Sequence, residues 1–439
     1  MRRSPLHDNM LYADDAAGAA PTMPRGLLHR ILMGLLAFVV VVPNLTFRTR
    51  TIGEAGLDWQ NGLKLVIWVS LFVVAVLCWR RYRALFSDWM LALALCYAGF
   101  GLLSSLYSVA PAYSAACAFG FLAYLLFAAL LAADVAGRAL VAVVAWSFSG
   151  YMVVTWLAAI LAPDAAFLPT YGDNQHFPRL QGLSGHPNML GKQVASFICL
   201  ILAASALNWF ASRKVFWAIL TLAVLTLVAT DSRTSLLALL LSVAVVTMRT
   251  HRMGGALLGV AGVAVGLAVV AHGLGLPVLA GLFEFGSRTG EADEVMSLTG
   301  RVRLWEFVWE IFLDRPLFGY GYNSTELVLA RNWYGPADQI VGAHNTMLQS
   351  LLTVGILGTL PLLAMYVLMI HRFCFSLLGV SRYLIPYSII VSLTEIEIAS
   401  VPVLMMFVVF LAFSIDAVES RNLRRTNCSS VQGRAMGFS

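Results

Sequence analysis

The feature that most constrains this chain is a series of apolar windows, each long enough to cross a hydrocarbon layer of about 30 Å. They fall near residues 28–47, 62–79, 88–107, 113–133, 139–162, 189–209, 215–230, 234–248, 254–275, 346–370, 378–394 and 398–415. A helix is the only open-ended element that satisfies its own backbone in lipid, so the pattern predicts an all-α integral membrane protein of about twelve transmembrane helices. The composition agrees: 59% of residues are hydrophobic and 12% charged, about half the charged share of a soluble domain. The bilayer is therefore the chain's main solvent.

An even number of spans puts both termini on one side, and the basic residues choose which. Eighteen of the 29 Lys and Arg residues fall on the side of the termini, in short connectors such as Arg80 to Arg83, Arg213-Lys214 and Arg249 to Arg252. The positive-inside rule makes that side the cytoplasm. The net charge of +6 thus reads as a topology signal and not as a nucleic-acid surface. The chain divides into a cytoplasmic tail (1–27) with no signal-peptide pattern, helices one to nine (28–275), a large outer loop (276–345), helices ten to twelve (346–415) and a basic tail (416–439). The six cysteines form no spaced pair in a polar loop, so neither a disulfide framework nor a zinc site is expected.

Four clusters lie on the face opposite the termini. The first, Phe177 to Gly191, places Arg179, His186 and Asn188 at the mouth of the sixth span, where unpaired N–H groups attract anions; the plainer reading is a capped helix entry. The second, Asp231-Ser-Arg-Thr-Ser235, sets Arg233 in a polar helix mouth, suited either to a phosphate or to snorkelling toward headgroups. In the third, Leu304, Trp305, Val308, Ile311 and Phe312 follow helical spacing and predict an amphipathic helix on the membrane face, ending near Pro316. Arg301 and Arg303 occupy its first turn, where basic groups oppose the helix dipole and gain nothing for the helix, which points to an anionic ligand. Tyr320 and Tyr322 after it form a tight turn or an aromatic platform for a sugar ring. The fourth begins at His344 and Asn345, where the large loop re-enters the membrane; Gly355 and Gly358 beyond them allow a close neighbouring helix.

Together these clusters supply guanidinium groups that grip phosphate oxygens and an imidazole that accepts a proton near neutral pH. No Asp-x-Asp, phosphate-binding Gly-rich loop or His-Glu-x-x-His motif is present, so neither a metal nor another cofactor is expected. The substrate implied is a membrane-borne diphosphate.

Ser232-Arg233-x3-Leu237, Leu298-Thr-Gly-Arg301 with Trp305, Arg315-Pro-Leu-Phe-Gly-Tyr-Gly321, and His344-Asn345 followed by Gly355 and Gly358 resemble the O-antigen ligase family, which includes lipopolysaccharide O-antigen ligases and related exopolysaccharide and O-antigen polymerases. The resemblance covers roughly 179–358 and the twelve-span layout. It implies a metal-independent, inverting glycosyltransferase of the integral-membrane (C-type) fold in a bacterial inner membrane. The expected donor is an undecaprenyl-diphosphate-linked glycan at the periplasmic face, and the expected acceptor a glycan or lipid A core. By position Arg233, Arg301 and His344 are the expected catalytic residues. Arg179, His186, Asn188, Arg303, Asn345, Tyr320 and Tyr322 are expected to bind substrate. The His186-Pro-Asn188 cluster and a loop of about seventy residues lean toward a polymerase over a ligase. A transporter or flippase for a lipid-linked sugar would want polar residues and broken helices at mid-membrane, and an assembly subunit would need only the docking surfaces of the two outer loops.

Overall fold

The computed structural model describes residues 25–46, 59–168, 178–250, 301–331, 333, 342–376 and 379–435, with side chains placed from 26 and up to 424. The window at 254–275 and most of 276–345 before residue 301 lie outside the described residues. The principal helices are α1 (Arg25–Val41), α2 (Trp59–Leu77), α3 (Trp89–Ser104), α4 (Pro111–Asp134), α5 (Gly137–Leu161), α6 (Pro187–Ala206), α7 (Arg213–Ala229), α8 (Arg233–Thr250), α9 (Arg301–Asp314), α10 (Thr346–Phe375), α11 (Leu384–Ser392) and α12 (Leu404–Ala435). Among the described residues seven helices are long and apolar enough to cross a membrane, or eight if the bent pair Trp79–Ser87 and Trp89–Ser104 forms one span. The protein is a multi-pass, all-α membrane protein.

Helix starts follow their capping residues. Asp88 accepts from the Met90 N–H to begin α3, and Pro111 opens α4, both supplying orphan-donor solutions at N-termini. α4 is enclosed on every side by α2, α3 and α12. Phe121 sets its edge against Phe410 and Tyr97, and Tyr124 against Phe407. A helix apolar all round belongs at the centre of such a bundle.

Two departures from the expected layout shape the interior. The windows 378–394 and 398–415 predict two full spans joined by three residues. Instead a 3-10 turn (Val380–Arg382) leads into the nine-residue α11, and α12 begins only at Leu404. Between them 393–403 is irregular, because Glu395 and Glu397 sit there and are almost wholly buried. Carboxylates at that depth require polar partners that a lipid-facing helix cannot give them.

The second departure is in α10. Gly355 has φ 67° and ψ −173°, breaking the helix into two halves. The N–H groups of Tyr320 and Gly321 donate to the carbonyls of Leu352 and Thr353 at 3.0 and 2.7 Å, and those of Ile356 and Leu357 donate to Pro316 and Leu317 at 2.8 and 3.3 Å. The close neighbour that Gly355 admits is therefore the turn and loop segment 316–321, not a helix, and it satisfies the backbone groups that the break releases. The bend is sharp. Thr346 and Tyr366 would stand about 30 Å apart on a straight helix, yet the Thr346 hydroxyl accepts from the Glu397 N–H and the Tyr366 hydroxyl donates to the Glu397 carboxylate.

Candidate active site

The first half of the site is built around Arg179. It lies on β2 (Arg179–Leu180), which pairs antiparallel with β1 (Phe167–Leu168) in the connector after α5. Its guanidinium donates to the carbonyls of Thr230 (3.2 Å) and Asp231 (3.3 Å) and to Asn188 Oδ1 (2.6 Å). Asp231, in the left-handed region at φ 47°, turns the chain between α7 and α8. Its carboxylate stands 4.0 Å from Arg179 Nε and 3.8 Å from Arg233 Nε. Arg179 is thus buried and spent on structure, whereas Arg233 keeps 42% of its side-chain surface open.

The second half converges on Glu395. Arg301 donates from one terminal nitrogen to Glu395 Oε1 at 2.6 Å and from the other to the Thr394 carbonyl at 2.5 Å. Lys192 Nζ stands 3.4 Å from Glu395 Oε2 and donates to the Ile396 carbonyl at 3.0 Å. His344 Nδ1, enclosed without a hydrogen bond, is 3.7 Å from Glu395 Oε2. Burial alone would raise the Glu395 carboxyl, but Lys192, His344 and Arg301 together hold it well below the usual carboxylate range.

Packing explains how Arg301 and His344 meet. Leu304, Val308 and Phe312 bury one face of α9 against Val328, Leu329, Ala343 and Leu352. Trp305 donates from its indole to the Ala343 carbonyl at 3.0 Å, tying the first turn of α9 to the residue before His344. His344 itself is held at φ 45°, a strained conformation for a residue with a Cβ. Asn345 then caps α10, accepting from Met347 and Leu348 N–H, while its amide donates to the Leu393 carbonyl.

One helix joins the two halves. Asn188 contacts Arg179 and Lys192 contacts Glu395, and residues four apart share a face of α6 about 6 Å apart along its axis. Arg233 is thus linked through Asp231 and Arg179 to Asn188, Arg301 and His344 are linked through Glu395 to Lys192, and α6 carries Asn188 and Lys192 one turn apart. His186 lies beside both halves as the N-cap of α6, its Nδ1 accepting from the Asn188 N–H at 3.1 Å. That bond leaves the proton of the neutral ring on Nε2. The residue is exposed, yet the protein packed about its ring first and Arg179 second push it down to about 4.

Four helix N-termini, those of α6, α8, α9 and α10, therefore carry this cluster, with Arg179, Lys192, Arg233 and Arg301 set against the carboxylates Glu395 and Asp231. N-terminal dipoles together with guanidinium and ammonium groups suit a polyanion. The imidazole of His344 beside a fixed carboxylate has the arrangement of a general base and its orienting partner.

The other expected residues fall elsewhere. Arg303 is exposed on α9. Tyr320 has its ring under the Arg315 guanidinium, 4.9 Å from the ring centre, and its hydroxyl on the Ile311 carbonyl. Tyr322 is enclosed by Tyr97 and Phe121 and donates to the Ser400 carbonyl at 3.0 Å. An enclosed ring has no free face for a sugar, so Tyr322 braces the 393–403 segment from below. Sequence reading passed over Glu395 and Lys192. The signal available was two acids within an apolar stretch at the end of the chain, and a lysine in the first turns of a membrane helix.

No curated protein matches the chain. Residues 216–363 match the family model described as O-antigen ligase. That stretch holds Arg233, Arg301 and His344, while Arg179, Lys192 and Glu395, which complete the cluster, lie outside it. Over residues 216–363, about a third of its length, this membrane protein is similar to the O-antigen ligase family.

Proposed function

We propose that the protein is a glycosyltransferase of surface-polysaccharide biosynthesis that takes its glycan from a polyprenyl diphosphate carrier, undecaprenyl diphosphate by the family resemblance, at the periplasmic face of the inner membrane. The observation that carries this reading is the convergence of Arg301 and Lys192 on the His344–Glu395 pair, with Arg233 and Arg179 set at Asp231 and the starts of four helices carrying these groups. His344 takes the proton of the acceptor hydroxyl as its oxygen attacks the anomeric carbon. The bond from that carbon to the phosphate oxygen breaks, and its electron pair leaves with the diphosphate. Arg301 and Arg233 stabilise the charge growing on that leaving group, Glu395 stabilises the imidazolium, and attack from the opposite face inverts the anomeric centre.

The acceptor is a second glycan, which makes the enzyme a polymerase; transfer to lipid A core would make it a ligase. Purified protein is incubated with a lipid-diphosphate oligosaccharide, with and without lipid A core. A ladder of lengthening products supports the polymerase, a single transfer to the core supports the ligase, and no transfer in either mixture rejects the reading.

One observation favours a second reading, a flippase for lipid-linked sugar. α10 is broken at Gly355 and Glu397 is buried against it, and broken helices with buried charge line transport paths. Translocation of the lipid-linked sugar across proteoliposomes without formation of a glycosidic bond would favour it.

A further inference from the structure

Lys192 is a charged group of this cluster to which the proposed chemistry gives no task. It is 7% exposed, and lysines are rarely so enclosed without a partner. Its ammonium sits between Glu395 Oε2 at 3.4 Å and the Ile396 carbonyl at 3.0 Å, on the side of the carboxylate away from the Oε1 that Arg301 holds. Arg301, by contrast, has both terminal nitrogens committed to the 393–403 segment. For Arg301 to grip a diphosphate it must give up at least part of that hold. If it were the sole cation on Glu395, its departure would strand a buried carboxylate, an expensive state.

We propose that Lys192 is a positioning residue that keeps Glu395 paired by itself and so releases Arg301 to bind the phosphates of the lipid-linked donor. The inference rests on the proposed diphosphate reading. Without Lys192, Arg301 is bound to Glu395 as its principal counter-ion.

The test measures binding of inorganic pyrophosphate to the full chain in detergent by titration calorimetry, and the Michaelis constants for donor and acceptor. Lys192→Met weakens pyrophosphate about tenfold and raises KM for the donor by a similar factor, with KM for the acceptor unchanged; Lys192→Arg restores both. The double variant Lys192→Met, Glu395→Gln removes the carboxylate together with its partner, frees Arg301 and returns pyrophosphate affinity to within about threefold of wild type. It also guards against a single variant that fails to fold. Wild-type affinity in Lys192→Met, or a double variant as weak as Lys192→Met, overturns the inference while leaving the diphosphate reading intact. Absence of pyrophosphate binding to the wild type overturns the diphosphate reading itself, and the inference with it.

Discussion

His344 Nδ1 faces Glu395 Oε2 across 3.7 Å, close enough for charge attraction and too far for a hydrogen bond. The gap exists because the same carboxylate is held by Arg301 at 2.6 Å and approached by Lys192 at 3.4 Å. A catalytic pair that tightens as substrate engages Arg301 fits this spacing, since such bonds are often long before substrate arrives.

Removing the imidazole therefore removes the proton acceptor. His344→Ala lowers the rate of glycan transfer about 10³-fold, and Glu395→Gln about 10²-fold. Initial rates with a lipid-diphosphate oligosaccharide measure both, with membrane insertion unchanged; rates within a few-fold of wild type in both variants would remove His344 from the chemistry.

Arg301→Lys keeps the charge but loses the fork that spans Glu395 and the Thr394 carbonyl. A point ammonium cannot make both contacts. The variant loses about 10- to 100-fold in kcat/KM for the donor, read from saturation kinetics; a fully active lysine variant would show that charge alone suffices.

Gly355→Ala tests the break in α10. Its φ of 67° disfavours any Cβ, and a Cβ there would run into the Leu317 backbone, which cannot yield without losing the bonds that Pro316 and Leu317 accept from Ile356 and Leu357. The expected cost is about 2 kcal/mol or more, seen as earlier thermal unfolding in detergent. Gly34→Ala in α1, where a Cβ meets open space, is the control and leaves the transition near that of wild type.

His186 gives the chain an acid-sensitive element. Its folded value of about 4 lies below the ordinary 6.5, so its contribution is intact above pH 6.5 and is lost as the pH falls toward 4, when the unfolded chain takes up a proton the folded one refuses. His186→Asn keeps an N-cap acceptor without a titrating ring. Thermal unfolding from pH 8 to pH 4 should show the wild type losing stability relative to the variant as acid is added; parallel curves would contradict the assignment.

The apolar windows determined most of what the lipid decides: α1 to α8 and α10 lie where long hydrophobic stretches predict helices, because a backbone in hydrocarbon has few alternatives. The amphipathic spacing of Leu304, Val308 and Phe312 likewise foretold α9 and its buried face. Arg179, Arg233, Arg301 and His344 stood out as polar groups at the mouths of apolar helices. What hydropathy could not carry was 393–403, where Glu395 and Glu397 sit in a stretch that scores as two spans, and the break at Gly355, whose partner is a turn segment about forty residues earlier in the chain. Both depend on partners distant in sequence. A buried carboxylate is tolerable only where Lys192, Arg301 and His344 arrive from three other stretches of chain, and a broken membrane helix only where another backbone receives its hydrogen bonds. Those are properties of packing, and tertiary structure alone decided them.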